Sequence, residues 1–326
     1  MSVVALLAGC PSEAPPGDAP TPAPPPEQPD DLESWLTGSG EDATPSPAGP
    51  SLLLIGGGLE PDAPFAAWLD AAAGGDLVVI RASGSDGYND WVYSDLGGVD
   101  SVETLLLDRR ELADDPWVAW RLEQAEAIWI AGGDQGVYAA EWTDTGVEDA
   151  LRAAWGRGAA VGGTSAGLAV LGEFAFTARN GSVTSEEALA DPYSDRVTLE
   201  RDLWAQPPLG GVVTDSHFAE RDRLGRLVAW TARIEQDWGT APLGVGIDER
   251  TTLLVDADGE GTVEGPGSVW LVRGEGPPAT CAPGEPLEHT VRVWQLDEGD
   301  TVALASGETT AASTVVTASG GALSGI

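Results

Sequence analysis

A serine flanked by glycines is the strongest chemical signal in the sequence. Gly163, Ser165 and Gly167 fit the pattern Gly-x-Ser-x-Gly, between an apolar run and a helical segment that begins at Ala166. In a nucleophile elbow, a sharp turn from strand to helix exposes the serine hydroxyl, and the glycines leave room for that turn. The backbone N–H of Ala166 is then placed to donate to an oxyanion. The alternative is a glycine-rich turn that binds phosphate or only packs.

A serine nucleophile requires a base, and the sequence contains two histidines. His217 follows the apolar segment 211–213, and a strand end can bring it to a nucleophile on a neighbouring strand. His289 begins an alternating segment, where a histidine more often packs or faces water. We therefore predict that His217 is the base and that His289 is structural. In an α/β-hydrolase the three catalytic residues follow the chain order serine, acid, histidine. That order would assign the base to His289, whose strand is unsuited to the role, so it argues against an α/β-hydrolase fold.

The sequence pattern alone does not decide which acid orients the imidazole. Asp248 and Glu249 follow another apolar strand, and either could serve. The pair Glu186–Glu187 is a further candidate. Asp215 lies two residues before His217 on the same face of an extended strand, so it could instead bind substrate.

Three arginines follow His217 within a short segment of a chain that has few cations. Arg221, Arg223 and Arg226 do not share one face of a helix at about 100° per residue. Arg221, in the first turn of a helix predicted from residue 219, is best placed to bind a substrate carboxylate through its planar fork. Salt bridges to the acidic surface are the alternative, most of all for Arg223 and Arg226.

A second glycine pair, Gly132-Gly133, ends another apolar run. The N–H of Gly133 could supply a second donor to an oxyanion, and the amide of Gln135 could bind a polar group of a substrate.

The candidate site residues described above must be positioned by the secondary structure, which the sequence indicates as short apolar strands that alternate with amphipathic helices. The pattern predicts an α/β fold with a mostly parallel sheet flanked by helices and a C-terminal antiparallel β extension. We expect one domain over residues 51–305, β-rich from about residue 256, and a loose Ser/Thr/Gly/Ala tail over 306–326. The predicted strands cover residues 51–55, 77–80, 104–107, 127–130, 159–161, 211–214, 243–247, 251–255, 268–272, 291–296 and 301–304.

The first fifty residues differ from the rest in composition. Residues 1–10 end in Leu7-Ala8-Gly9-Cys10, which is typical of a bacterial lipoprotein signal, although the apolar run is short and no basic residue precedes it. Residues 11–50 contain twelve of the 24 prolines and predict a disordered tether. We therefore expect lipidation of Cys10, a membrane contact through that lipid only, and a cell-surface or periplasmic location. Cys281 would then have no intramolecular disulfide partner.

Composition limits the class of protein. The chain has 326 residues, 16 basic residues that are all arginine, and a formal net charge of −37. Such a charge argues against nucleic acid as a partner. The absence of a long apolar run argues against a multi-span membrane protein.

Four blocks taken together resemble the cyanophycinase family of serine peptidases, which also contains the aspartyl dipeptidase, dipeptidase E. The blocks are Gly-Gly-Asp-Gln at 132–135, Gly-Thr-Ser-Ala-Gly at 163–167, Asp-x-His-Phe-x-x-Arg-x-Arg-x-x-Arg-Leu at 215–227 and Gly-Ile-Asp-Glu at 246–249. The resemblance implies a class I glutamine amidotransferase-like fold. It implies Ser165 as nucleophile, His217 as base and Glu249 as acid, with Asp248 and Glu187 as alternatives. It assigns Gln135, Asp215, Arg221, Arg223 and Arg226 to the substrate. Ser216 stands where cyanophycinases usually carry glutamine.

The implied reaction is hydrolysis of cyanophycin to β-Asp-Arg dipeptides, with no metal or organic cofactor. One alternative is an aspartyl dipeptidase-like surface peptidase that acts on ordinary Asp-X peptides. A second is a non-catalytic binding lipoprotein on the same fold. The expected partner is a peptide or cyanophycin, and a homodimer is left open.

Overall fold

A computed structural model of the chain describes residues 24–204 and 206–325. Its strands form one sheet of ten and one of eight strands. In chain order the strands are β1 (Ser34–Gly38), β2 (Leu52–Ile55), β3 (Asp76–Arg81), β4 (Ser101–Leu106), β5 (Ala127–Ile130), β6 (Ala160–Thr164), β7 (Phe174–Phe176), β8 (Leu199–Arg201), β9 (Val212–Asp215), β10 (Leu243–Ile247), β11 (Thr252–Val255), β12 (Glu260–Glu264), β13 (Val269–Gly274), β14 (His289–Leu296), β15 (Thr301–Ala303), β16 (Glu308–Thr309), β17 (Ser313–Ser319) and β18 (Ala322–Ser324).

The first sheet has the order β1-β4-β3-β5-β6-β2-β11-β12-β15-β16. Its centre, from β4 to β2, is parallel, whereas the strands outside that centre pair antiparallel. The second sheet has the order β18-β17-β14-β13-β10-β9-β7-β8, and only β10-β9 and β9-β7 pair parallel. The predicted α/β fold with an antiparallel C-terminal extension is confirmed. The parallel strands are divided between two sheets, however, and not gathered in one as predicted. The prediction missed this because an apolar run identifies a buried strand without identifying its neighbour.

Helices pack against both sheets. They are α1 (Asp62–Leu69), α2 (Arg110–Ala113), α3 (Pro116–Gln124), α4 (Gln135–Glu141), α5 (Gly146–Arg157), α6 (Ala166–Ala169), α7 (Ser185–Ala190) and α8 (Leu224–Trp238). Short 3-10 turns span Asp70–Ala72, Pro207–Leu209 and Ala219–Arg221, and a π-helical turn spans Trp91–Leu96. Helix α8 therefore begins at Leu224 and not near residue 219, because Asp222 in the left-handed region separates it from the preceding turn.

The core consists of three apolar clusters. The largest contains residues of both sheets, among them Leu54 and Val245. A second packs α8 against the other face of the eight-stranded sheet, and a third packs Phe65 and Trp68 of α1 against the ten-stranded sheet. Since buried apolar surface drives folding, these clusters hold the carboxyl ends of β2, β6, β9 and β10 together at one rim.

Two terminal predictions are wrong within the described residues. Residues 34–38, placed in the disordered tether, form β1, whose backbone pairs with β4. The buried side chain of Leu32 joins the largest core cluster just before β1. Residues 306–326 were predicted as a loose tail, yet 313–319 and 322–324 form β17 and β18 at the edge of the second sheet. The alternation of Val316 and Ala318 toward the core explains that pairing.

Several predictions lie outside the described residues. The lipoprotein-like segment 1–10, including Cys10, and the tether over 11–23 are among them. In the described part of the chain, no helix combines the length and apolarity that crossing a bilayer requires.

Candidate active site

The turn that carries Ser165 is strained and tightly packed. Ser165 follows β6 with φ of 52° and ψ of −110°, a backbone conformation that residues other than glycine rarely adopt. A Cβ on Gly163 would lie 2.7 Å from the carbonyl carbon of Gly167, and a Cβ on Gly167 would lie 2.1 Å from the carbonyl oxygen of Ile130. Gly163 is therefore required by the close approach of the helix that follows Ser165, and Gly167 by packing against the end of β5.

His217 faces Ser165 from the second sheet. It follows β9 with φ of 46°, and its backbone N–H donates to the carbonyl oxygen of Gly56 at 2.7 Å. Its Nε2 lies 2.7 Å from Oγ of Ser165. The predicted base and nucleophile are thus within hydrogen-bond distance at the junction of the two sheets.

Glu249 lies on the other side of the imidazole. Its Oε1 is 2.7 Å from Nδ1 of His217. Since an ionised carboxylate only accepts hydrogen bonds, this contact assigns the proton to Nδ1 and leaves Nε2 free to accept from the Ser165 hydroxyl. The arrangement is that of a serine, a base and an orienting acid.

The other candidate acids do not contact His217. Asp248 accepts from the backbone N–H groups of Ala219 and Ser268, both at 2.9 Å, and from the indole of Trp270 at 3.1 Å. Glu187 is an exposed capping-box residue of α7 and accepts from the backbone of Thr184. Neither carboxylate is therefore available to orient the imidazole.

The surroundings of His217 favour its neutral form. Burial lowers the pKa of His217 below 6.5, because the charged imidazolium would lose hydration. The nearby cations Arg221 and Arg223 lower it further, while Glu249 opposes both effects. A neutral imidazole is the form that a general base requires.

A loop of three glycines, Gly56-Gly57-Gly58, lies against His217 and Glu249 and was not among the predicted site residues. A Cβ on Gly57 would lie 2.3 Å from Cε1 of His217, and one on Gly58 would lie 3.5 Å from Oε2 of Glu249. The signal was the run Gly56-Gly57-Gly58 directly after a buried strand, since such runs permit close backbone approach.

The second glycine pair lies beside the nucleophile. A Cβ on Gly132 would be 3.5 Å from Cβ of Ser165, and the hydroxyl of Tyr138 donates to the carbonyl oxygen of Ala131 at 3.0 Å. Gly133 is exposed next in the chain, and Gln135 is the half-buried first residue of α4. The oxyanion role of the Gly133 and Ala166 N–H groups, and the binding role of Gln135, remain predictions.

Two of the residues predicted to bind substrate, Asp215 and Arg226, are paired with each other. Arg226 is 2% exposed, and its Nη2 and Nε lie 2.5 and 2.8 Å from the carboxylate oxygens of Asp215. Its guanidinium also lies over the rings of Phe176 and Trp230. Because Asp215 is likewise buried, the assignment of Asp215 and Arg226 to the substrate is corrected: they form an internal ion pair.

Arg223 also donates to Oδ1 of Asp215, at 3.2 Å, whereas Arg221 lies outside this cluster. Arg223 is half-buried and donates to the carbonyl oxygen of Ser216 at 2.7 Å, and burial lowers its pKa to about 10. Arg221 is exposed in the turn after His217, and no carboxylate oxygen of the described residues lies within 4.0 Å of its guanidinium. Arg221 is therefore free to bind an anionic group.

A groove opens next to the turn that follows His217. It has a volume of about 610 Å³ and lies between the first turns of α7 and α8 and the β17–β18 hairpin. Its lining includes the exposed acids Glu186 and Asp222, the indole of Trp270 and the side chain of Arg223. The groove thus offers both signs of charge and an aromatic face.

His289 takes no part in the site. It is 3% exposed on β14, and burial lowers its pKa to about 4. Over residues 24–204 and 206–325, no group of three His, Cys, Asp or Glu side chains is arranged to hold a metal ion.

Comparison with known proteins finds similarity to peptidases. The model of peptidase family S51 matches residues 82–191. The cyanophycinase of Synechococcus elongatus is 35% identical over 187 residues, which cover 57% of this chain and 52% of that protein. The cyanophycinase of Trichormus variabilis is 32% identical over 209 residues, which cover 62% and 65%. The chain therefore spans between half and two thirds of the length of these relatives.

A solved structure shows the same fold. The crystal structure of a peptidase from an acI-B1 Actinobacterium is 20% identical, has a TM-score of 0.50, and matches 78% of this chain and 97% of its own. The resemblance that the four sequence blocks indicated is confirmed: part of the chain matches the model of peptidase family S51, and two cyanophycinases are 35% and 32% identical to it over the aligned residues.

Proposed function

We propose that the protein is a serine peptidase in which Ser165 is the nucleophile, His217 the general base and Glu249 the orienting acid. The observation that carries this proposal is the continuous chain of contacts from Oγ of Ser165 to Nε2 of His217 and from Nδ1 to Glu249, each 2.7 Å long. Strained backbone at both Ser165 and His217 supports it, because such strain concentrates at active sites.

The proposed reaction has two halves. Oγ of Ser165 attacks the peptide carbonyl while Nε2 of His217 takes the hydroxyl proton, and the N–H groups of Gly133 and Ala166 bind the oxyanion. His217 then gives its proton to the leaving amine as the C–N bond breaks. Water, deprotonated by His217, hydrolyses the acyl-enzyme and releases Ser165. Glu249 holds the imidazole in the required tautomer throughout.

For the substrate we propose cyanophycin, with release of β-Asp-Arg dipeptides. Relatives that bear the name cyanophycinase support this choice. Arg221, which is exposed beside His217, would bind a carboxylate of an aspartyl residue. Glu186 and Asp222 in the groove would bind an arginine side chain of the polymer, whose guanidinium could also stack on Trp270.

Two other functions remain to be separated from this one. An aspartyl dipeptidase would use the same three residues but would cleave Asp-X dipeptides and leave the polymer intact. A binding lipoprotein would hold the polymer without cleaving it. The substitution of Ser216 for the usual glutamine favours neither polymer nor dipeptide on its own.

The test compares the protein and its Ser165→Ala variant. Each is incubated with purified cyanophycin and, separately, with α-Asp-X dipeptides, and the products are identified by mass spectrometry. We expect β-Asp-Arg from the wild type only, with Ser165→Ala still co-sedimenting with insoluble polymer. Cleavage of dipeptides alone would move the protein to the dipeptidase class, and equal turnover by the variant would overturn the mechanism.

We also propose that the protein is exported and lipidated at Cys10. The sequence Leu7-Ala8-Gly9-Cys10 supports this, since the modifying enzyme requires small residues before the cysteine. Expression of the full chain and of Cys10→Ser in a bacterial host, with labelled palmitate and membrane fractionation, tests it. Label and membrane association should disappear in the variant, and label in both proteins would contradict the proposal.

A further inference from the structure

The segments that carry the proposed base and acid are joined by hydrogen bonds from three backbone N–H groups. The N–H of Phe218 donates to the carbonyl oxygen of Ile247 at 3.2 Å. The N–H of Ala219 donates to Oδ1 of Asp248 at 2.9 Å. In the opposite direction, the N–H of Glu249 donates to both carboxylate oxygens of Glu220, each at 3.1 Å. Each segment therefore supplies an acceptor side chain to the backbone of the other.

We infer that Glu220 is a positioning residue for Glu249, and through it for His217. This inference rests on the proposed function and deepens it. Glu220 is exposed, and its carboxylate is not among the hydrogen-bond partners of the Ser165 and His217 side chains in the described residues, so it takes no direct part in the chemistry. Its carboxylate fixes the backbone of Glu249, whose side chain is 33% exposed and otherwise meets the imidazole with a single hydrogen bond.

The reason for a carboxylate at position 220 is geometric. Glu249 follows the end of β10, where the ladder no longer supplies a backbone acceptor to its N–H, and a backbone donor needs a partner. A carboxylate with two oxygens accepts from that donor in either of two rotations. A glutamine retains one acceptor of the same reach, an aspartate is one methylene shorter, and an alanine supplies no acceptor.

A phosphonylation assay tests the inference independently of the natural substrate. A fluorophosphonate probe reacts with a serine in proportion to its activation, so the labelling rate of Ser165 reports how well His217 and Glu249 are aligned. The proteins compared are the wild type and its Glu220→Ala, Glu220→Asp, Glu220→Gln and Ser165→Ala variants. Glu123→Ala, on α3, removes an exposed charge from a helix that contributes no residue to the site.

We expect Glu220→Ala and Glu220→Asp to label on the order of 10- to 100-fold more slowly than the wild type, because small misplacements of catalytic groups cost that much. Glu220→Gln and Glu123→Ala should label at close to the wild-type rate. All variants should melt at the wild-type temperature, since Glu220 is exposed.

The pH dependence of labelling separates positioning from a general loss of structure. Because the contact with Glu249 raises the pKa of His217, its loosening in Glu220→Ala should move the acidic limb to lower pH, while Glu220→Gln should leave the limb in place. Wild-type rates in Glu220→Ala, or equal losses in Glu220→Ala and Glu220→Gln, would overturn the positioning role. A wild-type protein that is not labelled at Ser165 would instead overturn the proposed function, and the inference with it.

Discussion

His217 packs against Gly57 so closely that a methyl group on Gly57 would come within 2.3 Å of its Cε1 atom. Gly57 also has φ of 102°, in the region that favours glycine. Gly57→Ala should therefore displace the imidazole and lower kcat on the order of 100-fold. Gly74→Ala is the matched control, since Gly74 has φ of 82° but no atom near its missing Cβ. Gly74→Ala should lose about 1 kcal/mol of stability and Gly57→Ala somewhat more because of the contact with His217, and equal activity in the two would refute the role of Gly57.

Glu249 and Asp248 are neighbours with different partners. In Glu249→Gln the amide can no longer hold the Nδ1 proton in the correct tautomer, so kcat should fall by a factor of about 10² to 10⁴ with little change in unfolding free energy. In Asp248→Asn the NH₂ group would face a donor, and the free energy of unfolding should fall by about 1–3 kcal/mol. Steady-state kinetics and urea denaturation of both variants check this, and a stable Asp248→Asn would contradict it.

The pH profile follows from the pKa of His217. A base must be unprotonated, and the pKa of His217 is lowered below 6.5, so kcat/KM should fall only on the acidic side of that value. Arg221 lowers this pKa, so Arg221→Ala should move the acidic limb to higher pH. Glu249 raises it, so Glu249→Gln should move the limb of its residual activity to lower pH. Profiles measured from about pH 5 to about pH 8 test the signs, and a downward shift in Arg221→Ala would count against them.

Substitutions of Arg226 and Arg221 should have different effects, the first on the stability of the fold and the second on substrate binding. Arg226→Met removes the two shortest hydrogen bonds to the buried carboxylate of Asp215 and leaves it the 3.2 Å contact with Arg223, so the free energy of unfolding should fall by about 3 kcal/mol. Arg221→Ala removes an exposed side chain, so it should leave the melting temperature unchanged and raise KM by about 10- to 100-fold through loss of a charge-assisted hydrogen bond. Thermal melting and steady-state kinetics check both. A raised KM with normal stability in Arg226→Met would restore that residue to the substrate site.

Much of the site could be predicted because local chemistry marks it. The elbow around Ser165 needs glycines at fixed spacing, and His217 is one of only two histidines, so both residues stood out. The boundaries of β5 and β10 also agree with the prediction, since short apolar runs between turns define such strands.

Other features depend on contacts between distant segments and could not be predicted. The burial of Arg226 against Asp215 depends on the aromatic wall of Phe176 and Trp230, which lies on other elements. The same holds for Gly57, whose constraint comes from a histidine 160 residues later in the chain, and for the division of the parallel strands between two sheets.

Strand β1 has a consequence for handling the protein. It closes the outer edge of β4 through residues 34–38, and the side-chain amide of Asn89 holds it there by donating to the carbonyl oxygen of Trp35 at 2.8 Å. If the chain were shortened to begin near residue 50, β4 would become a bare strand edge, ready to recruit another chain by intermolecular pairing. Residues 34–38 thus protect this edge from intermolecular pairing, and a shortened protein should retain them.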